Sequence, residues 1–421
     1  MTGNLQPQVI KHIVEQHAEE AAFLWILRDD AIRQPHYKLH DIADLDKRVD
    51  AHIDGLRIAG DPGWEICEAA LELEEAGEVF TAAVLAFESE NSGRVDTVIR
   101  AGCVSEETYR GLVSALGWIA DSHWQRWSPG MLSSSSNTYR RLAVCSCAVR
   151  RQDPGEALLT ELEDHRPYFR ARVLRAIGEL KRQDLLPALQ THFKSDDPGC
   201  QFWSAWSALL LGDRSGLEIV KAYASKDTPF RDCAIQIAVR VMKSKEVRPW
   251  LKELYEDPDS VASVITASGA AGISNVIPWL IRRMDKPELA RAAGQAFSMI
   301  TGVDLAYENM ERECPEGFKA GPTENPEDTD VEMDQEEDMP WPEPQLIGEW
   351  WEKNKKRYET GIRYLCGEPI TVRHCQHVLR TGYQPQRRAA AFELALLQSN
   401  QPLFNTSIPG NRQFSLLSHI Q

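Results

Sequence analysis

Between Gly77 and Leu305 apolar residues recur every three or four positions in short runs, and the runs are punctuated by proline. Five segments open alike: "PYFRARVLRAIGEL" at Pro167, "PGCQFWSAWSALLLG" at Pro198, "PFRDCAIQIAVRVM" at Pro229, "PDSVASVITASGAAG" at Pro258 and "PELARAAGQAFSMITG" at Pro287, spaced 31, 31, 29 and 29 residues. Pro187, Pro249 and Pro278 each follow their own leading proline by 20 residues, and Glu218 holds that place in the unit opened by Pro198. Within a unit, Phe169, Val173, Ile177 and Leu180 share one helical face, and Phe230, Ala234, Ile237 and Val241 repeat the pattern two units later. A second run in each unit, such as Leu185, Leu186, Leu189 and Phe193, predicts a second helix. A proline that opens a helix forfeits only an N–H with no intrahelical partner, so each leading proline is expected at a helix start, and each in-phase proline near the first turn of the second helix. No two-residue alternation competes with this reading.

A helix pair of this size cannot bury its apolar face alone, so neighbouring pairs must stack. The period extends backwards through "NTYRRLAVCSCAVRR" from Asn137, "SEETYRGLVSALGWIA" from Ser105 and "GEVFTAAVLAFESE" from Gly77, giving eight units, with the Ser133–Ser136 run as a loop. The units resemble short HEAT-like repeats, and the expected fold is an all-α solenoid. Its expected parts are a helical N-terminal cap over residues 1–76, the repeats over 77–305, an acidic Pro- and Trp-containing loop over 306–345 and a helical C-terminal cap over 346–421. "LIGEWWEKNKKRYETGIRYLCG" and "QPQRRAAAFELALLQ" both read as helical, the second reopening the repeat pattern at Pro385.

Charge narrows the partners. Lys and Arg number 47 against 63 Asp and Glu, a net charge of −16, which disfavours nucleic acid and anionic membrane. The opening segment lacks a signal-peptide pattern, and its longest apolar run, Ala21 to Leu27, is too short to span a bilayer. Nine scattered cysteines fit buried thiols in a reducing compartment, so a cytoplasmic location is expected.

Chemistry-bearing motifs are few. No P-loop, GxSxG or HExxH pattern occurs, Cys145 and Cys147 are one residue too close for a redox pair, and no catalytic residue or cofactor is expected. "DTDVEMDQEEDM" lacks the central glycine of a calcium loop. His374, Cys375 and His377, with Cys366, read more simply as helix surface than as a zinc set, and no metal site is expected. His52 lies on an apolar face with Leu45, Val49, Ile53 and Leu56 and reads as a packing residue; Trp203 and Trp206 read as core.

"LDKRVDAHIDGL", "MITGVDL", "PWPEP", "EWW", "GIRYLCG" and "QRRAAAFELAL", in that order from Leu45 to about Leu397, resemble an uncharacterised bacterial family of HEAT-like proteins often encoded beside type VI secretion genes, near spike proteins and toxic effectors. The resemblance implies a cytoplasmic protein-binding scaffold, either an immunity protein or an effector adaptor or chaperone, with a secreted toxin or spike component as partner. A lyase-type HEAT-like enzyme with a small molecule in its groove is the alternative. The acidic loop is the candidate contact. Between Glu324 and Glu343 it carries ten acids and no Lys or Arg, and it ends in Met339-Pro340-Trp341-Pro342. Glu332, Asp334, Glu336, Glu337, Asp338 and Trp341 are the expected partner-binding residues, with Trp341 as an anchor and the acids covering the groove or meeting a basic protein; a solvated linker docked through Trp341, with no partner, is the other reading. Trp341, Trp350 and Trp351 are expected to be buried.

Overall fold

The computed structural model describes residues 9–257, 260–321, 334 and 336–419. Glu332 and Pro258 lie outside them. Among the described residues the chain is all-α apart from one hairpin and two isolated bridges, and it divides into two compact units.

The first unit comprises Met1–Arg33, Tyr37–Ala176 and Asn405–Gln421. It holds α1 (Lys11–Ala31), α2 (Leu39–Ala59), α3 (Asp61–Ala70), α4 (Ala76–Glu88), α5 (Ser92–Gly102), α6 (Glu106–Trp118), α7 (Asp121–Leu132), α8 (Asn137–Arg150), α9 (Ala157–Leu162) and the start of α10 (Pro167–Glu179). Helix α4 packs on α6, and α6 on α8, which is the stacking that repeated helix pairs need. The core centres on Trp25, whose ring stacks on Phe80 at 4.9 Å, with Trp118 edge-on to Phe80 at 5.3 Å. Both indoles keep a polar partner: Trp25 Nε1 donates to Ser114 Oγ at 3.1 Å and Trp118 Nε1 to Asp50 Oδ1 at 2.8 Å. Buried Arg28 pairs with Asp46 at 2.7 Å and donates to the carbonyls of Ser407 and Ile408, which ties the final segment to α1 and α2.

The second unit comprises Gln34–His36 and Ile177–Phe404. After the end of α10 come α11 (Leu186–Thr191), α12 (Pro198–Leu210), α13 (Leu217–Ala224), α14 (Arg231–Val241), α15 (Ser244–Leu254), α16 (Val261–Ala271), α17 (Ile277–Arg283), α18 (Pro287–Thr301), α19 (Pro344–Asn354), α20 (Val372–Thr381) and α21 (Gln384–Leu397). The last helix of the chain, α22 (Gly410–Ser418), belongs to the first unit. Helices α12, α14, α16 and α18 pack in succession. A Cβ on Gly269 would meet Ala296 Cα at 2.9 Å, so α16 and α18 approach closely because that position carries no side chain. Trp206 is buried against Phe392, while its neighbour Trp203 is only partly covered.

Pro167, Pro198 and Pro287 are the first residues of their helices, and Pro229 precedes α14 by two residues. Pro187 and Pro278 take the second position of α11 and α17. Pro249 departs from the expectation. Helix α15 begins at Ser244, so this proline sits in its interior, where it lacks the N–H that would reach back to Lys245.

The stretch from Tyr358 to Gly367 also departs from the helix expected there. Helix α19 stops at Asn354, and after one short 3₁₀ turn the chain forms a hairpin, β1 (Tyr364–Leu365) against β2 (Glu368–Pro369). Gly361, Cys366 and Gly367 all have positive φ (90°, 49° and 88°), which no α-helix admits and which two-residue hairpin loops require of their central pair. Cys366 therefore sits in a turn, not on a helix.

Candidate protein-binding site

The acidic loop meets a fixed cation. Arg291, on the first turns of α18, is 5% exposed and is flanked along its helix by Ala290, Ala293 and Gly294. Small neighbours leave the guanidinium room to lie along the helix surface. Its Nη2 stands 2.7 Å from Asp334 Oδ2, its Nη1 donates to the Glu336 carbonyl at 2.8 Å, and its Nε lies 3.5 Å from Glu336 Oε2. The Trp341 ring covers its other face at 4.6 Å, and Phe318, 5.4 Å away, packs edge-on against Trp341 at 4.8 Å. A planar cation between an aromatic face and two carboxylates gains from both, more so because the site is largely dry.

Backbone pairing sets the register of this seat. Arg312 N donates to Trp341 O and Glu343 N to Met310 O, both at 2.8 Å, so residues 310–312 and 341–343 run side by side. Pro342 is buried, and Glu343 caps α19 by accepting from Gln345 N. Asp334 also shapes its own turn, accepting from Glu336 N at 3.0 Å, while Glu337 N donates to Asp334 O at 3.1 Å.

Two kinds of acid result. Asp334 and Glu336 turn inward onto Arg291. Glu337 and Asp338 remain exposed, with Asp338 Oδ2 3.6 Å from His36 Nδ1, an ion pair only when that imidazole is protonated. Of the three tryptophans, Trp351 is buried at 7% exposure. Trp341 and Trp350 are half-covered, by Arg291 and Phe318 and by Phe297 respectively.

Burial pushes the Glu336 carboxyl up; Arg291 opposes the shift and Asp334 adds to it. The seated turn thus holds a proton on Glu336 more tightly than the free chain does. Between the ordinary and the raised value the folded state binds more protons, so stability of the seat increases as pH falls through that window. Hydrogen exchange at the amides of Glu337 and Met339, corrected for intrinsic rate, is expected to slow as pH is lowered into the carboxylate range. Glu336→Gln should abolish that dependence; an unchanged dependence in this variant would assign it elsewhere.

The other sequence candidates have local roles. His374 Nε2 is 2.6 Å from the Leu365 carbonyl, Cys375 is buried, and among the described residues no group of three or more His, Cys, Asp or Glu is arranged for a metal ion. His52 Nδ1 lies 3.2 Å from His17 Nδ1; desolvation first, and His17 second, hold the His52 imidazole below its usual range.

Arg291 and Phe318 were not among the expected residues, although Arg291 had a signal: a cation on a helix row of Ala and Gly, in a chain that soon supplies a run of acids. The role of "GIRYLCG" was also hidden. Arg363 donates from Nε to Ala271 O at 2.9 Å and from Nη2 to Ala270 O at 3.4 Å, at the C-terminus of α16, and Cys366 N and Gly367 N reach Met299 O and Ile300 O on the last turn of α18. The motif caps the ends of two repeat helices.

A family model described as HEAT repeats matches residues 155–236, a window that contains the units opened by Pro167 and Pro198. No curated protein matches the chain. The stacked helix pairs and this match support a HEAT-like repeat fold, an architecture commonly used to bind other proteins. No described helix is long and apolar enough to cross a membrane.

Proposed function

We propose that this chain is a cytoplasmic protein-binding scaffold that serves type VI secretion, either as an immunity protein or as an adaptor that holds an effector before loading. Its partner is a basic protein, a secreted toxin or a spike component. The observation that carries the reading is the division of labour in the acidic loop. A buried arginine anchors Asp334, Glu336 and Trp341, and the anchored turn presents Glu337 and Asp338 to solvent. Acids held on a fixed turn lose less conformational freedom on binding than acids on a free tail. The ordered motifs from "LDKRVDAHIDGL" to "QRRAAAFELAL" support the secretion context, and an acidic surface suits a toxin whose own site is basic, as sites that act on nucleic acid are.

Affinity capture from the native host with mass spectrometry tests this, using the tagged chain beside a Glu337→Gln/Asp338→Asn variant and a Glu332→Gln variant. A basic protein encoded near secretion genes, retained by the unmodified chain and depleted on the double variant, is the expected result. Equal retention of every captured protein on both would remove the acidic turn from the binding surface.

A further inference from the structure

A second surface of the second unit has the opposite charge. A cleft of about 410 Å³ opens between α15, α16 and α17. Its floor is apolar, formed by Leu251, Val264 and Val276, with Tyr255 and Trp279 as walls that meet edge to face at 5.6 Å. Arg248 and Lys252, one turn apart on α15, and Arg282 on α17 stand around its mouth, and all three are exposed. Among the described residues no Asp or Glu lines the cleft, and none of these three cations has an ion-pair or hydrogen-bond partner. Just behind, the Arg283 guanidinium lies over Trp279 at 5.5 Å and Tyr255 at 5.8 Å, and its buried Nε has no hydrogen-bond partner.

Exposed arginines elsewhere in this acidic chain include ones paired with acids, Arg57 with Asp54 and Glu88 and Arg126 with Glu90. Unpaired cations around one aromatic cleft, in a chain of net charge −16, are a local reversal of sign. We infer that this cleft docks an acidic segment of a protein partner, with an aromatic or aliphatic side chain on the apolar floor between Tyr255 and Trp279 and flanking carboxylates on Arg248, Lys252 and Arg282. The inference rests on the protein-binding reading of the chain but not on the acidic loop. A peptide fits better than nucleic acid. A polyphosphate must bring many charges against the long-range field of a strongly acidic protein, whereas a short peptide brings a few and fills an apolar floor as well. The volume lies in the range of clefts that hold a few side chains.

Fluorescence anisotropy on the whole chain tests it with three labelled probes: a synthetic peptide carrying a Phe-Leu pair flanked by glutamates, the same peptide with glutamines, and a single-stranded oligonucleotide of similar length. The glutamate peptide is expected to bind at least about tenfold more tightly than its glutamine counterpart, and Arg248→Glu/Arg282→Glu to weaken it by a similar factor while the circular dichroism stays unchanged. Trp279→Ala should weaken both peptides. Glu337→Gln/Asp338→Asn should leave peptide binding intact, which separates this site from the acidic turn. Equal binding of the two peptides, indifference to the charge reversal, or tighter binding of the oligonucleotide would each overturn the inference.

Discussion

Replacing Glu393 by Gln is expected to destabilise the second unit by about 3 kcal/mol, the lower end of the range for removing one partner from a buried ion pair. Glu393, on α21, is 3% exposed and faces two guanidinium groups. Its Oε1 stands 2.5 Å from Arg363 Nη2 and 3.3 Å from Arg240 Nε, and its Oε2 accepts from Arg363 Nη1 at 3.1 Å. The amide keeps the shape and loses the charge, leaving two like charges together. Burial already pushes the Arg240 guanidinium down, and Arg363 adds to the shift; Glu393 is the larger of the two groups that oppose it. Arg363 retains the Ala270 and Ala271 carbonyls and is 18% exposed on its side chain, which places the cost at the lower end. The thermal transition of this unit should fall by about 6–12 °C. A shift indistinguishable from that of an exposed Glu→Gln change, such as Glu253→Gln, would mean that water reaches the pair.

Trp351→Ala is expected to cost about 3–5 kcal/mol. Trp351 packs on Tyr358 at 5.3 Å, and Tyr358 packs on Tyr364 at 4.9 Å, so the ring joins α19 to the hairpin that caps α16 and α18. Trp350 is the internal control. It is half-covered, with Phe297 edge-on at 5.6 Å, and its truncation should cost distinctly less. Thermal melts of the two variants decide the order; an equal or larger loss for Trp350→Ala would place the anchor of α19 on the other face.

The repeats were legible because their period is local. Pro167, Pro198 and Pro287 open helices through the fixed φ and missing N–H of proline, and the apolar spacing follows from the helical turn itself. Pro249 misled because its neighbours Ser244 to Arg248 are acceptable helix formers, and their preference outweighed one lost hydrogen bond. The hairpin at Tyr364 was missed although Gly361 and Gly367 were in view. An apolar phrase such as "IRYL" fits a helix or a strand equally, and its partners, the carbonyl ends of α16 and α18, are distant in sequence. The acidic loop was read as a charged segment ending in a tryptophan. Its sorting into inward and outward acids depends on Arg291, which lies more than forty residues earlier, and that pairing is a tertiary fact.

A protein-binding role for the acidic turn rests on its outward acids, Glu337 and Asp338. The decisive measurement is the stopped-flow association rate of the captured basic partner with the unmodified chain and with Glu337→Gln/Asp338→Asn, across ionic strength. Both side chains are exposed, so folding should be unchanged. The double variant is predicted to associate several-fold more slowly at low salt, with the difference shrinking as ionic strength passes about 0.15 M, where the Debye length is about 8 Å. Equal rates at low salt, or tighter binding by the neutralised variant, would contradict it.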